Sequence, residues 1–167
     1  MKKFFLLAVM MFVAVNVSTA QANSMPREEM CVGGVGYGCM FSYVKEVFGE
    51  PLERRTFDGV DVHGCTWIYS PQFSVTGRTF GNSVSEEMTV VAFSLKDDSL
   101  TLPDGLTVGM SYHKVVLRWG RGELYKHDGR RCYFYVSNNS DVPLTLRFYV
   151  DNDSAATITE IELCSDF

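Results

Sequence analysis

A twelve-residue pattern occurs twice in this chain, 71 positions apart, and it constrains the fold more than any other feature. Residues 38–49 read GCMFSYVKEVFG and residues 109–120 read GMSYHKVVLRWG. Phe41, Val44 and Phe48 align with Tyr112, Val115 and Trp119. These positions are spaced i, i+3 and i+7, which is one stripe of an α-helix. Val116 adds an i+4 position in the second copy. Each segment closes on a glycine (Gly49, Gly120), the residue that takes up positive φ at a helix end without steric penalty. Ser111 can cap the second helix by accepting an exposed backbone N–H, whereas Met40 stands in the equivalent place and cannot. Self-similarity at a fixed long spacing predicts two copies of one supersecondary unit.

After each helix the apolar period shortens to two. Residues 65–69, 72–75 and 89–95 read as strands in the first copy, and 131–136, 144–150 and 157–163 in the second. Val91, Phe93 and Leu95 share one face of their strand. Leu144, Leu146, Phe148 and Val150 alternate with Thr145, Arg147 and Tyr149. Weaker strands precede each set, near 54–57 and 123–127. Turn-forming residues lie between: Ser70-Pro71, Thr76-Gly77-Arg78, Ser137-Asn138-Asn139 and Asp151-Asn152-Asp153.

The expected fold class is therefore α+β: two tandem repeats, each a short helix packed on a three- or four-stranded antiparallel sheet. The expected organisation is a signal peptide at 1–22, an N-terminal lead-in at 23–37, the first repeat at 38–98, a joint at 99–108 and the second repeat at 109–167. A unit of that size has a marginal core, so the two should pack together. The joint begins Ser99-Leu100-Thr101-Leu102-Pro103-Asp104-Gly105, too short and turn-rich for a free tether.

Lys2 and Lys3, the apolar run 4–15 and Ala20-Gln21-Ala22 have the order of a secretory signal peptide. The run is shorter than the ~20 residues of a spanning helix. Asn23, not a cysteine, stands immediately after the cleavage point, so neither a lipid anchor nor stable membrane insertion is expected, and the product is expected to be exported, periplasmic or secreted. The Met-Lys-Lys start is of bacterial type. Cys31, Cys39, Cys65, Cys132 and Cys164 all lie beyond the leader, and an oxidising compartment makes them disulfide candidates. An odd number leaves one thiol free or available to bridge a dimer. Loss of Lys2 and Lys3 takes the formal charge from −5 to −7. That excludes the clustered basic surface of a nucleic-acid binder.

The frame of residues 109–115 (Gly-Met-Ser-x-x-x-Val), the helix closed by Trp119-Gly120 and the aromatic strands that follow resemble the repeat of β-lactamase inhibitor proteins. They are also similar to the periplasmic domain of the small outer-membrane assembly lipoproteins, the SmpA/OmlA superfamily. Val44 and Phe48-Gly49-Glu50-Pro51 carry the same frame in the first copy. The resemblance spans about residues 36 to 164. It implies tandem helix-on-sheet units with a shared concave surface, used to grip an enzyme loop in the inhibitors and partner proteins in the lipoproteins. The inhibitors join a Cys after the helix to one on the second strand. Here Cys65 and Cys132 occupy the strand position but no Cys follows either helix. Their partners would then come from Cys31, Cys39 or Cys164, with the connectivity open and Cys132–Cys164 disfavoured. The absence of a lipid-attachment Cys argues against the anchored branch.

No catalytic residue, metal ligand or cofactor is expected. His63, His113 and His127 lack H-x-H or H-x-x-x-H spacing, and no G-x-S-x-G elbow occurs. The glycine-rich run 32–38 has no P-loop lysine and no preceding strand, and reads as a flexible lead-in held by Cys31 and Cys39. Glu86-Glu87 and Asp97-Asp98 read as solvated loop acids, and Asp151-Asn152-Asp153 as a hairpin turn. The strand aromatics remain. Matching the two Cys-led strands puts Cys65, Trp67 and Tyr69 on one core face with Cys132, Phe134 and Val136. Tyr133, Tyr135, Arg147 and Tyr149 would then line an open sheet face, and Tyr and Arg are enriched in protein-binding hot spots. The expected function is an exported non-catalytic protein-binding module, inhibitor-like or a cell-envelope factor. The alternative is a secreted hydrolase or metal-dependent enzyme using His63 or His127.

Overall fold

The structure, a computed structural model, describes residues 24–59, 62–80, 87–138 and 141–165. The signal peptide expected at 1–22 lies outside them. In chain order the elements are β1 (Ser24–Met25), a 3-10 turn (Arg27–Glu29), β2 (Cys31–Val32), β3 (Val35–Gly36), α1 (Phe41–Phe48), β4 (Glu53–Asp58), β5 (Val62–Ser70), β6 (Phe73–Phe80), β7 (Thr89–Leu95), α2 (His113–Trp119), β8 (Glu123–His127), β9 (Arg130–Ser137), β10 (Leu144–Val150) and β11 (Ile158–Ser165). The fold is α+β and rich in strand.

Nine strands form one sheet in the order β1-β9-β10-β11-β7-β6-β5-β4, with β8 also paired to β9. β8 and β1 share one edge of β9. β8 pairs with residues 130–134, and β1 runs parallel to Val136 and Ser137. This differs from the expectation of a separate sheet under each helix. The last strands of the two sets, β7 and β11, pair antiparallel, with Leu95 opposite Ile161 and Phe93 opposite Leu163. Left apart, they would be edges with unpaired amides and exposed apolar side chains.

The contacts around the two helices correspond. Gly38 N–H bonds Val90 O at 2.8 Å, and Gly109 N–H bonds Ile158 O at 2.8 Å. Val90 N–H returns to Cys39 O, and Ile158 N–H to Met110 O. Phe41 N–H bonds Met88 O, and Tyr112 N–H bonds Ala156 O. Gly49 and Gly120 close their helices at φ 79° and 75°, and their N–H groups cap Lys45 O and Val116 O. Ser111 Oγ accepts from His113 N–H at 3.3 Å while donating to Ala155 O. Met40 offers no side-chain cap.

Both helices lie on the same face of the sheet. Phe41 packs on Trp67 with centroids 4.5 Å apart, and Tyr112 stacks on Tyr133 at 3.9 Å. A buried row, Trp67-Val75-Phe93-Leu163-Leu146-Tyr135, crosses six strands beneath them. β6 continues through Thr76-Gly77-Arg78, where a turn is expected from sequence. The register shifts at Thr76/Gly77 instead, and a Cβ at Gly77 would stand 2.5 Å from the Phe41 ring. Glycine there admits the helix onto the sheet beside a bulge whose extra residue, Val91, is on β7. The lead-in expected to be flexible is part of the core. Met25, Met30, Val32 and Val35 are buried, because its apolar residues close the sheet below the helices.

The alternation of β9 is opposite to the expected one. Tyr133 and Tyr135 face the helices and are buried. Cys132, Phe134 and Val136 face away, on the side of Thr145, Arg147 and Tyr149. Trp67 corresponds to Tyr133, since each packs on the aromatic that begins its helix segment. Matching Cys65 to Cys132 slips the strands by one residue, and one residue reverses every side chain.

Among the described residues no disulfide joins any of the five cysteines, in contrast to the expected bridges. Cys65 is on the helix face, while Cys132 and Cys164 are on the other, so the sheet backbone separates them. Cys132 is opposite Tyr149 and Cys164 opposite Thr145. Four positions of β10 set them about 13 Å apart along the strand, beyond disulfide reach. Burial raises the thiol pKa of Cys31, Cys65 and Cys132, the direction of inert rather than nucleophilic cysteine.

Candidate binding face

The face opposite the helices is polar. One row reads Glu53-Ile68-Ser74-Ser94-Glu162-Arg147-Phe134-Glu123 across eight strands. A second reads Thr66-Thr76-Ala92-Cys164-Thr145-Val136. Period-two alternation dictates this: each apolar residue turned to the helices leaves its small or charged neighbours here.

Two carboxylates on β11 organise the centre of the face. Glu160, 6% exposed, accepts from Arg130 at 2.5 Å and from the Ser94 hydroxyl at 2.7 Å, with Lys96 at 3.8 Å. Glu162 accepts from Arg147 at 3.2 Å and from the Tyr149 hydroxyl at 2.6 Å. His127 Nδ1 lies 2.8 Å from that hydroxyl. Because the hydroxyl donates its hydrogen bond to Glu162, Nδ1 of His127 is the donor to it. The Arg130 guanidinium covers the Tyr149 ring at 4.1 Å. Burial first, and then the bond to Glu162, push the Tyr149 hydroxyl well above the usual tyrosine range. It stays a neutral donor, not a nucleophile.

Beside this network a shallow groove is lined by Glu123, Tyr125, His127, Phe134, Thr145 and Arg147. Tyr125 is 54% exposed and meets the edge of Phe134 at 6.5 Å. The arrangement can seat an apolar or aromatic group against two rings with charged groups at its rim. Of the four residues expected on an open face, the structure places Arg147 and Tyr149 there and brings them to one carboxylate. Tyr149 is 3% exposed, closed off by Arg130. Tyr133 and Tyr135 belong to the helix face. Sequence reasoning missed Tyr125, Phe134, Glu160 and Glu162. The signal was the Asp128-Gly129 turn, which sets His127 opposite Arg130 and so Tyr125 opposite Cys132 and Glu123 opposite Phe134.

His63 bonds Asp58 at 2.7 Å at the far end of the sheet from His127, and His113 is exposed on α2. Among the described residues, no three His, Cys, Asp or Glu stand together as metal ligands. No helix among them is long and apolar enough to cross a membrane.

No protein-family model matches the chain, and no curated protein matches it. Three solved structures are similar. One is an extracellular protein containing an SCP domain from Bacillus anthracis, with 13% identity and a TM-score of 0.48, covering 95% of this chain and 50% of that one. The chain thus spans half the length of that protein. The second is a DUF4309-family protein from Bacillus subtilis, with 15% identity and a TM-score of 0.43, covering 89% and 91%. The third is a candidate β-lactamase inhibitor protein from Streptococcus mutans, with 18% identity and a TM-score of 0.29, covering 75% and 82%. The likeness is distant and specifies no activity. The resemblance to the outer-membrane assembly lipoproteins finds no support here.

Proposed function

We propose that this chain is an exported, non-catalytic protein-binding module built as a tandem pair of helix-on-sheet units, whose uncovered sheet face holds another protein. The observation that carries the reading is the groove of Tyr125, Phe134 and Arg147 beside a network that fixes its walls. Exposed aromatics and arginine on a rigid surface are what hot spots are made of, because little side-chain freedom is lost on binding. The corresponding contacts around α1 and α2 support the tandem organisation. A secreted enzyme inhibited by this chain, or a factor of the bacterial envelope, fits such a face.

The test uses the natural protein as bait against medium and envelope extract of the source bacterium, beside a variant carrying Phe134→Ala and Arg147→Gln. Specific capture by the natural protein, lost in the variant at an unchanged thermal midpoint, is the expected result. Equal capture by both rejects the groove, and no specific capture by the natural protein rejects the binding role.

A further inference from the structure

Among the described residues, the edge strands β8 and β4 differ in what they can pair with. At one edge, β8 is tied to β9 by a two-residue turn, Asp128-Gly129, with φ 51° and 76°. Both values positive make a type I′ hairpin, whose flanking residues exchange hydrogen bonds. His127 and Arg130 are that pair, so Tyr125 with Cys132 and Glu123 with Phe134 bond likewise. Asn138 N–H bonds Met25 O on the same side of β9, which agrees with this alternation. The backbone groups of Leu124 and Lys126 therefore point out of the sheet. Both side chains flanking this edge, Leu124 and Tyr125, are 54% exposed.

We propose that two copies of this chain pair through β8, antiparallel about Tyr125, and join their sheets into one. The strand is self-complementary in that register. Leu124 of each copy faces Lys126 of the other as a hydrogen-bonded pair. Tyr125 faces its own symmetry mate as a non-hydrogen-bonded pair, the closer kind at about 4.5 Å between Cα atoms. Glu123 faces His127, an acid opposite a nitrogen donor. The contact is isologous and closes at two copies. β4, the other edge, is guarded. Every residue of it is exposed, and Glu53, Arg54, Arg55 and Asp58 set charges along it. The pairing shares Tyr125, Glu123 and His127 with the groove but not Phe134 and Arg147, so the Phe134→Ala and Arg147→Gln variant tests the binding role and the strand-edge variants test the pairing.

Two measurements test it on the full chain. In the first, Tyr125→Cys is oxidised with glutathione disulfide and mapped by peptide mass spectrometry, beside Leu124→Cys. A cross-link between the two substituted positions is expected for 125 and not for 124, since only 125 meets itself. In the second, sedimentation equilibrium compares the natural protein with Lys126→Ala and Lys126→Pro. Proline has no N–H to offer across the edge, yet is tolerated where that N–H faces out of the sheet. The natural protein and the alanine variant should dimerise alike, and the proline variant should weaken by roughly tenfold or more. A monomeric natural protein overturns the proposal. So does a proline variant that dimerises normally, a cross-link at 124 equal to that at 125, or a natural dimer that a reductant dissolves. Circular dichroism checks that the proline variant folds, and the cysteine pair decides if it does not.

Discussion

The hydroxyls of Tyr112 and Tyr135 meet at 2.9 Å inside the protein. Tyr135 donates a hydrogen bond to Gly120 O at 2.7 Å, and Gly122 N–H is shared between both hydroxyls at 2.9 and 3.0 Å. The knot ties the end of α2 and its glycine turn to β9. Tyr135→Phe keeps the ring but leaves the Gly120 carbonyl and the Tyr112 hydroxyl short of a partner. A loss of about 1–3 kcal/mol is expected in urea denaturation.

Tyr69 is the contrasting case. Its hydroxyl is buried without a hydrogen-bond partner, and burial pushes its pKa up to about 12. Tyr69→Phe should be neutral or stabilising by up to about 1 kcal/mol. The sign of the pH effect follows from the raised value. Below the ordinary tyrosine value of 10 both states are neutral. Between pH 10 and about 12 the unfolded chain loses the proton and the folded one does not, so stability falls as pH rises. Thermal midpoints across that window should fall less steeply for the phenylalanine variant.

Gly77→Ala should destabilise by about 1–3 kcal/mol, because the new methyl meets the fully buried Phe41 ring at 2.5 Å. Gly49→Ala, where a Cβ meets nothing within 4 Å but φ is 79°, separates backbone strain from overpacking. Calorimetry of the two variants reads the difference.

Glu160→Gln removes the charge that holds Arg130 over Tyr149. Arg130 is about half exposed, so solvent screens the pair and a loss of about 1–2 kcal/mol is expected rather than the larger cost of a fully buried ion pair. High salt should narrow the gap between the natural protein and the variant. An unchanged gap would mean that the hydrogen bond from Ser94, not charge, does the holding.

The helices were legible because their signal is local. Phe41, Val44 and Gly49, or Tyr112, Val115 and Gly120, fall within single short windows. The strands were legible for the same reason, with Phe93 and Leu95 on one face of β7 as the alternation requires. The binding face was legible only in part. β10 is unambiguous, with leucines and Phe148 against Thr145 and Arg147. β9 is not: it offers aromatics to both sides, Tyr133 and Tyr135 to one and Phe134 to the other. Composition cannot choose between them.

The sequence by itself determined the two helices, the order of strands β4 to β11 and where glycine must end the helices, because periodicity, capping and positive φ act within a few residues. Tertiary structure alone decided that β7 joins β11, that the lead-in becomes core, and which side of β9 meets α2. Those outcomes depend on burial between segments far apart in the chain, where a shift of a single residue exchanges the inside for the outside.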